Sequence, residues 1–456
     1  MELFAPSLMT PNGWRSNSVI RIEDGWITAI EAADHPPNGA EKAAGPVLPG
    51  MPNLHSHAFQ RAMAGLTERW GSPTDSFWSW RDLMYRFVAR LTPDDIRAVA
   101  LQLYIECLKQ GYTAVAEFHY LHNQPDGLPY DNPAETSLQI LAAARQAGIG
   151  LTHLPVLYAH GGFGEQPLGD AQSRFRSDPD AILAISEVVR AEARGDANVT
   201  VGAAPHSLRA ADPAMIEALA QGLRRSDPAA PLHIHIAEQV KEVEDCLAWC
   251  GKRPVELLAD SQAMDDGWCL VHATHLTEAE TRAIAESGAV AGLCPTTEAN
   301  LGDGLFPLVP YRSAGGVFGI GSDSHVCRDP AEELRLLEYG QRLSRRARNV
   351  GASELDPSTG GSLWRSAVAG GAKACGRPIA GIAEGERADL VVLDGKHADL
   401  TGRTGDAVTD TLIFSGGRDF VRDVMVGGVW AIRDGRHSQE DAAETDFRAA
   451  LNRLLA

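Results

Sequence analysis

His55-Ser56-His57 sets two imidazoles two residues apart. Side chains alternate along an extended strand, so both rings face the same side. Neutral imidazole is a good zinc ligand, although an isolated His-x-His also arises from two ordinary histidines. Three further stretches concentrate groups that bind metals or move protons. They are His233-Ile-His235-Ile-Ala-Glu238, His272-Ala-Thr-His275 and Gly321-Ser-Asp323-Ser-His325. Within them His233 reads as a core or supporting histidine, and His275 and His325 as surface or loop residues.

These stretches share a position in the chain pattern. Short apolar, β-branched runs alternate with amphipathic ones, giving eight strand candidates at 47–54, 113–119, 150–157, 199–205, 231–236, 268–273, 288–293 and 316–321. Helical patterns lie between them, such as 93–110 before Gly111 and 134–147 before Gly148, each glycine a stop signal. Continuous apolar strands alternating with helices imply a parallel sheet covered on both faces. Eight such units predict a (β/α)8 TIM-type barrel. Every stretch carrying chemistry falls at a predicted C-terminal strand end, the face where barrel active sites are built.

The flanks have a different period. Residues 18–33 alternate around Asp24-Gly25, a hairpin signature, and 388–394 and 424–437 add strand patterns. The expected organisation is a small β-sandwich domain built from both termini (1–46 and 376–456, the latter with a terminal helix at 440–456) around a barrel of 47–375. Residues 330–347 and 363–375 read as connecting helices. Two stretches fit no regular element: 59–91, with Trp70, Trp78 and Trp80, and 160–178. Both follow strands, where they can cover a pocket.

Composition excludes several function classes. With 60 acidic against 41 basic residues the net charge is −19, which repels nucleic acid and calls for a local arginine cluster in any site for an anion. No run of about 18 apolar residues exists, so no membrane span is expected. MELFAPSLMTPNGW has neither a basic nor an apolar signal region, so no signal peptide is expected. Seven scattered cysteines read as reduced thiols of a cytoplasmic protein.

The motifs together resemble the amidohydrolase superfamily. The resemblance rests on Pro49-Gly-Met-Pro-Asn-Leu-His55-Ser-His57, His235-x-x-Glu238, His272, the run from Cys294-Pro-Thr-Thr-Glu to Gly302, Gly-Ser-Asp323 and the return Ile382 to Asp394. It covers nearly the whole chain. No lysine that could bridge two metals ends strand four, which runs into Ala204-Pro205-His206, so the resemblance is to the mononuclear deaminase branch. More local likeness lies in Asn53 to Leu66, Glu117-Phe-His-Tyr120, Ala204 to Arg209 and Cys294 to Asn300.

The resemblance implies one Zn2+ per chain on His55, His57, His235 and Asp323. It implies proton transfer by Glu238, His272 and Asp323, their acid and base roles left unseparated by the sequence. The implied electrophile is an amidine carbon, and the implied substrate a small dicarboxylate. Arg209 and Arg81 would bind its carboxylates, with Gln60, Tyr120 and His206 completing the site; arginine forks match carboxylates in a bidentate fashion. A cytoplasmic homodimer is the expected state. Two other readings remain: a deaminase of a nucleobase, nucleoside or other amidine or guanidine, and a barrel without catalysis that serves binding or assembly.

Overall fold

The computed structural model describes residues 1–68, 77–416 and 419–456, with the side chains of 77–79 and 82 left out of the description. Trp70 and the Trp78 side chain therefore lie outside the described residues.

Eight parallel strands build the centre: Met51–Ser56, Tyr112–His119, Gly150–Leu157, Val199–Val201 continued by Ala204–Pro205, Leu232–Ile236, Trp268–His272, Val290–Leu293 and Val317–Ile320. They pair in sequence order as two sets of four. The bridges Ala203↔Leu232 and Ser56↔Asp323 join the sets into a ring. At the second junction His57 N donates to Asp323 O (3.2 Å) and Asp323 N to His55 O (3.0 Å). Closure therefore brings the end of the first strand against the end of the eighth. The strands are buried along almost their whole length, which is why they read as continuous apolar runs.

The strand candidate at 47–54 divides in two. Val47–Pro49 pairs with Glu2–Thr10 and Leu390–Leu393, whereas Met51–Ser56 enters the barrel. Gly50 is the joint: a Cβ there would lie 2.2 Å from a Thr113 methyl group. The terminal segments form one eight-stranded sheet with the hairpin Gly13–Glu23 and Trp26–Ala32 at an edge. Its turn is Asp24-Gly25, with φ of 51° and 82°, the pair of positive values that a tight two-residue hairpin turn demands. Leu3, Leu8, Ile20, Ile22, Val392 and Met425 are among its core residues.

The helices start and stop on local signals. Thr92 and Asp95 form a reciprocal capping box for Pro93–Lys109, and Gly148 ends Glu135–Ala147 in the left-handed conformation (φ 72°). The expectation of no regular element over 59–91 is corrected by a 3-10 helix, Ala58–Met63, and an α-helix, Phe77–Val88. The second has aromatic residues at Phe77, Trp78, Trp80, Tyr85 and Phe87, residues of modest helix propensity. Residues 160–178 contain a 3-10 helix, Asp170–Phe175, and an isolated bridge, Gly162↔Gln166. Among the described residues no helix is long and apolar enough to cross a membrane.

Candidate metal centre and active site

Three imidazole nitrogens converge at the barrel mouth. His55 Nε2 lies 3.1 Å from His57 Nε2 and 2.9 Å from His235 Nε2. Asp323 Oδ1 is 3.5 Å from His55 Nε2 and 3.3 Å from His57 Nε2. Burial holds His57 down to about 3 and His55 and His235 well below the ordinary histidine value, so these rings are neutral. His57 Nδ1 sits 2.9 Å from the Phe118 carbonyl and His235 Nδ1 3.0 Å from the His206 carbonyl. A carbonyl only accepts, so both Nδ1 atoms carry the proton and both Nε2 atoms present lone pairs. His55 Nε2 faces both of these lone pairs, and a proton on it serves only one of them squarely, whereas a cation among the three nitrogens serves all. A neutral three-imidazole, one-carboxylate set of this kind fits a divalent metal and suits zinc by donor type.

Proton-handling groups adjoin this cluster. His272 Nε2 is 3.8 Å from Glu238 Oε1 and 3.7 Å from Asp323 Oδ2. Its Nδ1 is 3.3 Å from Glu298 Oε1, which also accepts from Cys294 N (2.9 Å). Burial pulls the His272 value down, but Glu238, Glu298 and Asp323 outweigh it and raise it to about 10. Burial lifts Asp323 to about 7, opposed by His272. The backbone is unusual here: Ala237, His272, Ala273, Asp323 and His325 all have φ between 48° and 68°. Non-glycine residues held in this region concentrate where function constrains them.

Behind the two-histidine motif runs a buried polar chain. Ser56 Oγ donates to Glu117 Oε2 (2.5 Å), and Ala58 N donates to Glu117 Oε1 (2.6 Å). His325 Nε2 is 3.1 Å from Ser56 Oγ and its Nδ1 2.9 Å from Ser322 Oγ. Burial raises Glu117 to about 7 while these donors hold it down. The reading of His325 as a surface residue is thus corrected. It does lie in a loop, but fully buried, where two serine hydroxyls satisfy both nitrogens. His233 is a buried supporting residue bonded to Ala374 O (2.8 Å), and His275 is half-buried in a loop.

A cavity of about 570 Å3, its mouth included, opens beside the cluster. His57, His235, Asp323, Glu238 and His272 line it together with Gln60, Arg81, Tyr120, His206 and Arg209. Of the residues expected to bind metal, move protons or hold substrate, only His55 is absent from its lining. Gln60 Nε2 donates to Tyr120 Oη (3.0 Å), leaving the buried Gln60 Oε1 without a hydrogen bond. His206 Nδ1 is 3.1 Å from Ser207 Oγ. Burial lowers the Arg209 value, but Glu242 and Glu238 outweigh it and hold it raised, so the guanidinium stays charged. Arg81 lies over the Tyr85 ring at 5.6 Å. Trp80, from the stretch read as able to cover a pocket, lines the wall, and sequence reasoning missed Tyr85, Tyr158 and Phe175 beside it, because a single aromatic residue carries no signal of where it points. Glu298 belongs to the Cys294-to-Gly302 motif, where nothing in sequence marks its contact with His272.

A closed (β/α)8 barrel with four metal-type donors at its strand ends, and acid–base groups beside them, defines a hydrolase of the metal-assisted kind. The chain belongs to the amidohydrolase family, whose description its residues 47–431 match. It is 53% identical, over 99% of both chains, to formimidoylglutamate deiminase of Pseudomonas aeruginosa. It is 29% identical, over 99% of this chain and 98% of the other, to 8-oxoguanine deaminase of the same organism. The crystal structure of an amidohydrolase from Brucella melitensis superposes with a TM-score of 0.95 at 50% identity, covering both chains fully. A zinc-bound adenosine deaminase from Xanthomonas campestris shares the fold (TM-score 0.82, 21% identity, 100% of this chain and 98% of that one).

Proposed function

We propose that the chain hydrolyses N-formimino-L-glutamate to N-formyl-L-glutamate and ammonia, a step of histidine degradation, with one Zn2+ held by His55, His57, His235 and Asp323. The observation that carries this reading is that Arg81 and Arg209 line the same pocket as the imidazole cluster. Two guanidiniums in a chain of net charge −19 select a substrate with two carboxylates over a neutral base. The 53% identity to a deiminase of that name supports the same choice, and the nucleobase deaminase is the more distant relative.

Zinc held there would supply water acidified to a pKa of about 7. The protein's part is to hold substrate and carry protons. Arg209 and Arg81 bind the carboxylates, and Gln60, Tyr120 and His206 supply neutral or near-neutral polar contacts. Asp323 and His272 orient the attacking water beside the formimino carbon. A C–O bond forms there as the C=N π bond opens, and Glu238 carries one proton from the water oxygen to the former imine nitrogen and then the second, from the resulting hydroxyl, to the same nitrogen. The C–N bond then breaks, the carbonyl forms and ammonia departs. The same reading includes a cytoplasmic homodimer, to be measured by light scattering.

The test is ammonia release from N-formimino-L-glutamate, N-formimino-L-aspartate, guanine and adenosine under one set of conditions. Preference for the first by at least about tenfold in kcat/KM supports the reading; preference for a purine would overturn it.

A further inference from the structure

Arg174 is 2% exposed, yet no carboxylate among the described residues pairs with it. Its guanidinium donates instead to uncharged oxygens. Nε binds Asn123 O (2.9 Å), Nη1 binds Leu91 O (2.9 Å) and, closer still, Val88 O, and Nη2 reaches Tyr130 Oη (3.3 Å). Its own carbonyl accepts from His122 N (3.2 Å) and Asn123 N (3.0 Å). Asn123 follows the second barrel strand, Arg174 the third, and Val88 and Leu91 end the excursion that follows the first. One buried cation therefore gathers three consecutive strand-end segments.

Each of these segments contributes to the pocket. Val88 is the last residue of helix Phe77–Val88, which carries Arg81, Met84 and Tyr85 into the wall. Positions 81, 85 and 88 recur at helical spacing, so fixing the last turn fixes where the first two side chains face. A cation on the final carbonyls also suits the negative end of the helix dipole. Phe175, next in chain, has its ring centre 5.0 Å from that of Tyr120, 5.4 Å from Tyr158 and 6.0 Å from Tyr85. Arg174 and Phe175 thus form one hub: the first ties the backbones together behind the wall, and the second packs against three of the wall's tyrosines.

We infer that Arg174 is a positioning residue for substrate recognition, fixing helix Phe77–Val88 so that Arg81 and Tyr85 line the same pocket as Arg209. The inference rests on the proposed deiminase reading for its kinetic consequence, but not for its structural one. Removing the guanidinium takes this donor from the carbonyls of Val88, Leu91 and Asn123, leaving Val88 O only the long bond from Leu91 N (3.3 Å), so the helix end is held less firmly. The proposed metal ligands lie on, or just past the ends of, the first, fifth and eighth barrel strands, and none of them is a hydrogen-bond partner of Arg174.

The experiment compares the zinc-loaded protein with R174M and R174K, by amide hydrogen exchange over residues 77–91 and by steady-state kinetics. In R174M exchange rises, KM for N-formimino-L-glutamate rises about tenfold or more, kcat stays within about threefold, and zinc content is unchanged. R174K, which keeps a cation able to reach Val88 O and Leu91 O, recovers part of both effects; if R174M does not fold, R174K alone supplies the intermediate values against wild type. Unchanged exchange in both variants overturns the inference, as does a fall in kcat at constant KM. Wild-type protein inactive on N-formimino-L-glutamate would instead sink the functional reading, and the exchange measurement would still decide the role of Arg174.

Discussion

Glu298 stands 3.3 Å from His272 on the Nδ1 side, opposite the face that His272 turns toward Glu238 and Asp323. An ionised carboxylate only accepts hydrogen bonds, so it keeps a proton on Nδ1 and sets which nitrogen faces the reacting atoms. E298Q replaces this acceptor with an amide that can also donate, and the ring loses its assigned orientation. We expect kcat to fall about 10- to 100-fold with zinc retained, the range typical of an outer hydrogen-bond partner. Wild-type kcat in E298Q would remove Glu298 from the machinery.

The imidazole cluster predicts a coupled loss. H55A removes the nitrogen that lies 3.1 Å from His57 Nε2 and 2.9 Å from His235 Nε2, so metal and activity should disappear together. Chelation of the wild-type protein should do the same, and about one equivalent of zinc should restore ammonia release. Full zinc content with full activity in H55A would refute the ligand set, and two ions per chain would refute the mononuclear reading.

Arg209 should act on binding rather than on metal. It lines the pocket with Glu238 and His206 but is no part of the donor cluster. R209M is expected to raise KM for the dicarboxylate at least about tenfold, with zinc content unchanged, because a buried carboxylate loses its bidentate partner. Normal kinetics in R209M would mean that the pocket does not read carboxylates through this residue.

The candidate donor cluster was legible as a cluster because its residues sit at strand ends, where runs of apolar residues mark the position. His55, His57, His235 and Asp323 all fell at such ends, and ring closure through Ser56↔Asp323 brings them together. Helix Phe77–Val88 was passed over although its apolar residues recur at helical spacing, since its aromatic residues are modest helix formers. His325 reads as a loop histidine, and only the fold shows Ser56 and Ser322 closing on it. Arg174 was hidden for a related reason. A loop arginine is ordinarily a solvated charge, and its acceptors lie up to 86 residues away as backbone carbonyls that no sequence pattern marks.

His153 predicts an acid limb to stability that the active site does not set. It is fully buried, and neither ring nitrogen has a hydrogen-bond partner among the described residues. Burial holds it down to about 3, and the neighbouring His122 down to about 4. Unfolded histidine titrates near about 6.5, so the unfolded chain takes up protons that the folded one refuses. Stability is therefore fully present above about pH 6.5 and falls as the pH drops toward the folded values, by at most about 1.4 kcal/mol per pH unit for each such ring. H153L removes one titrating group and two unsatisfied polar atoms, so at pH 8 it should be at least as stable as wild type. Denaturant melts at pH 5 and pH 8 check the difference. The metal-site histidines titrate in both proteins and cancel, so the loss between the two pH values should be smaller in H153L. An equal loss in both would show that His153 is not a source of the acid sensitivity.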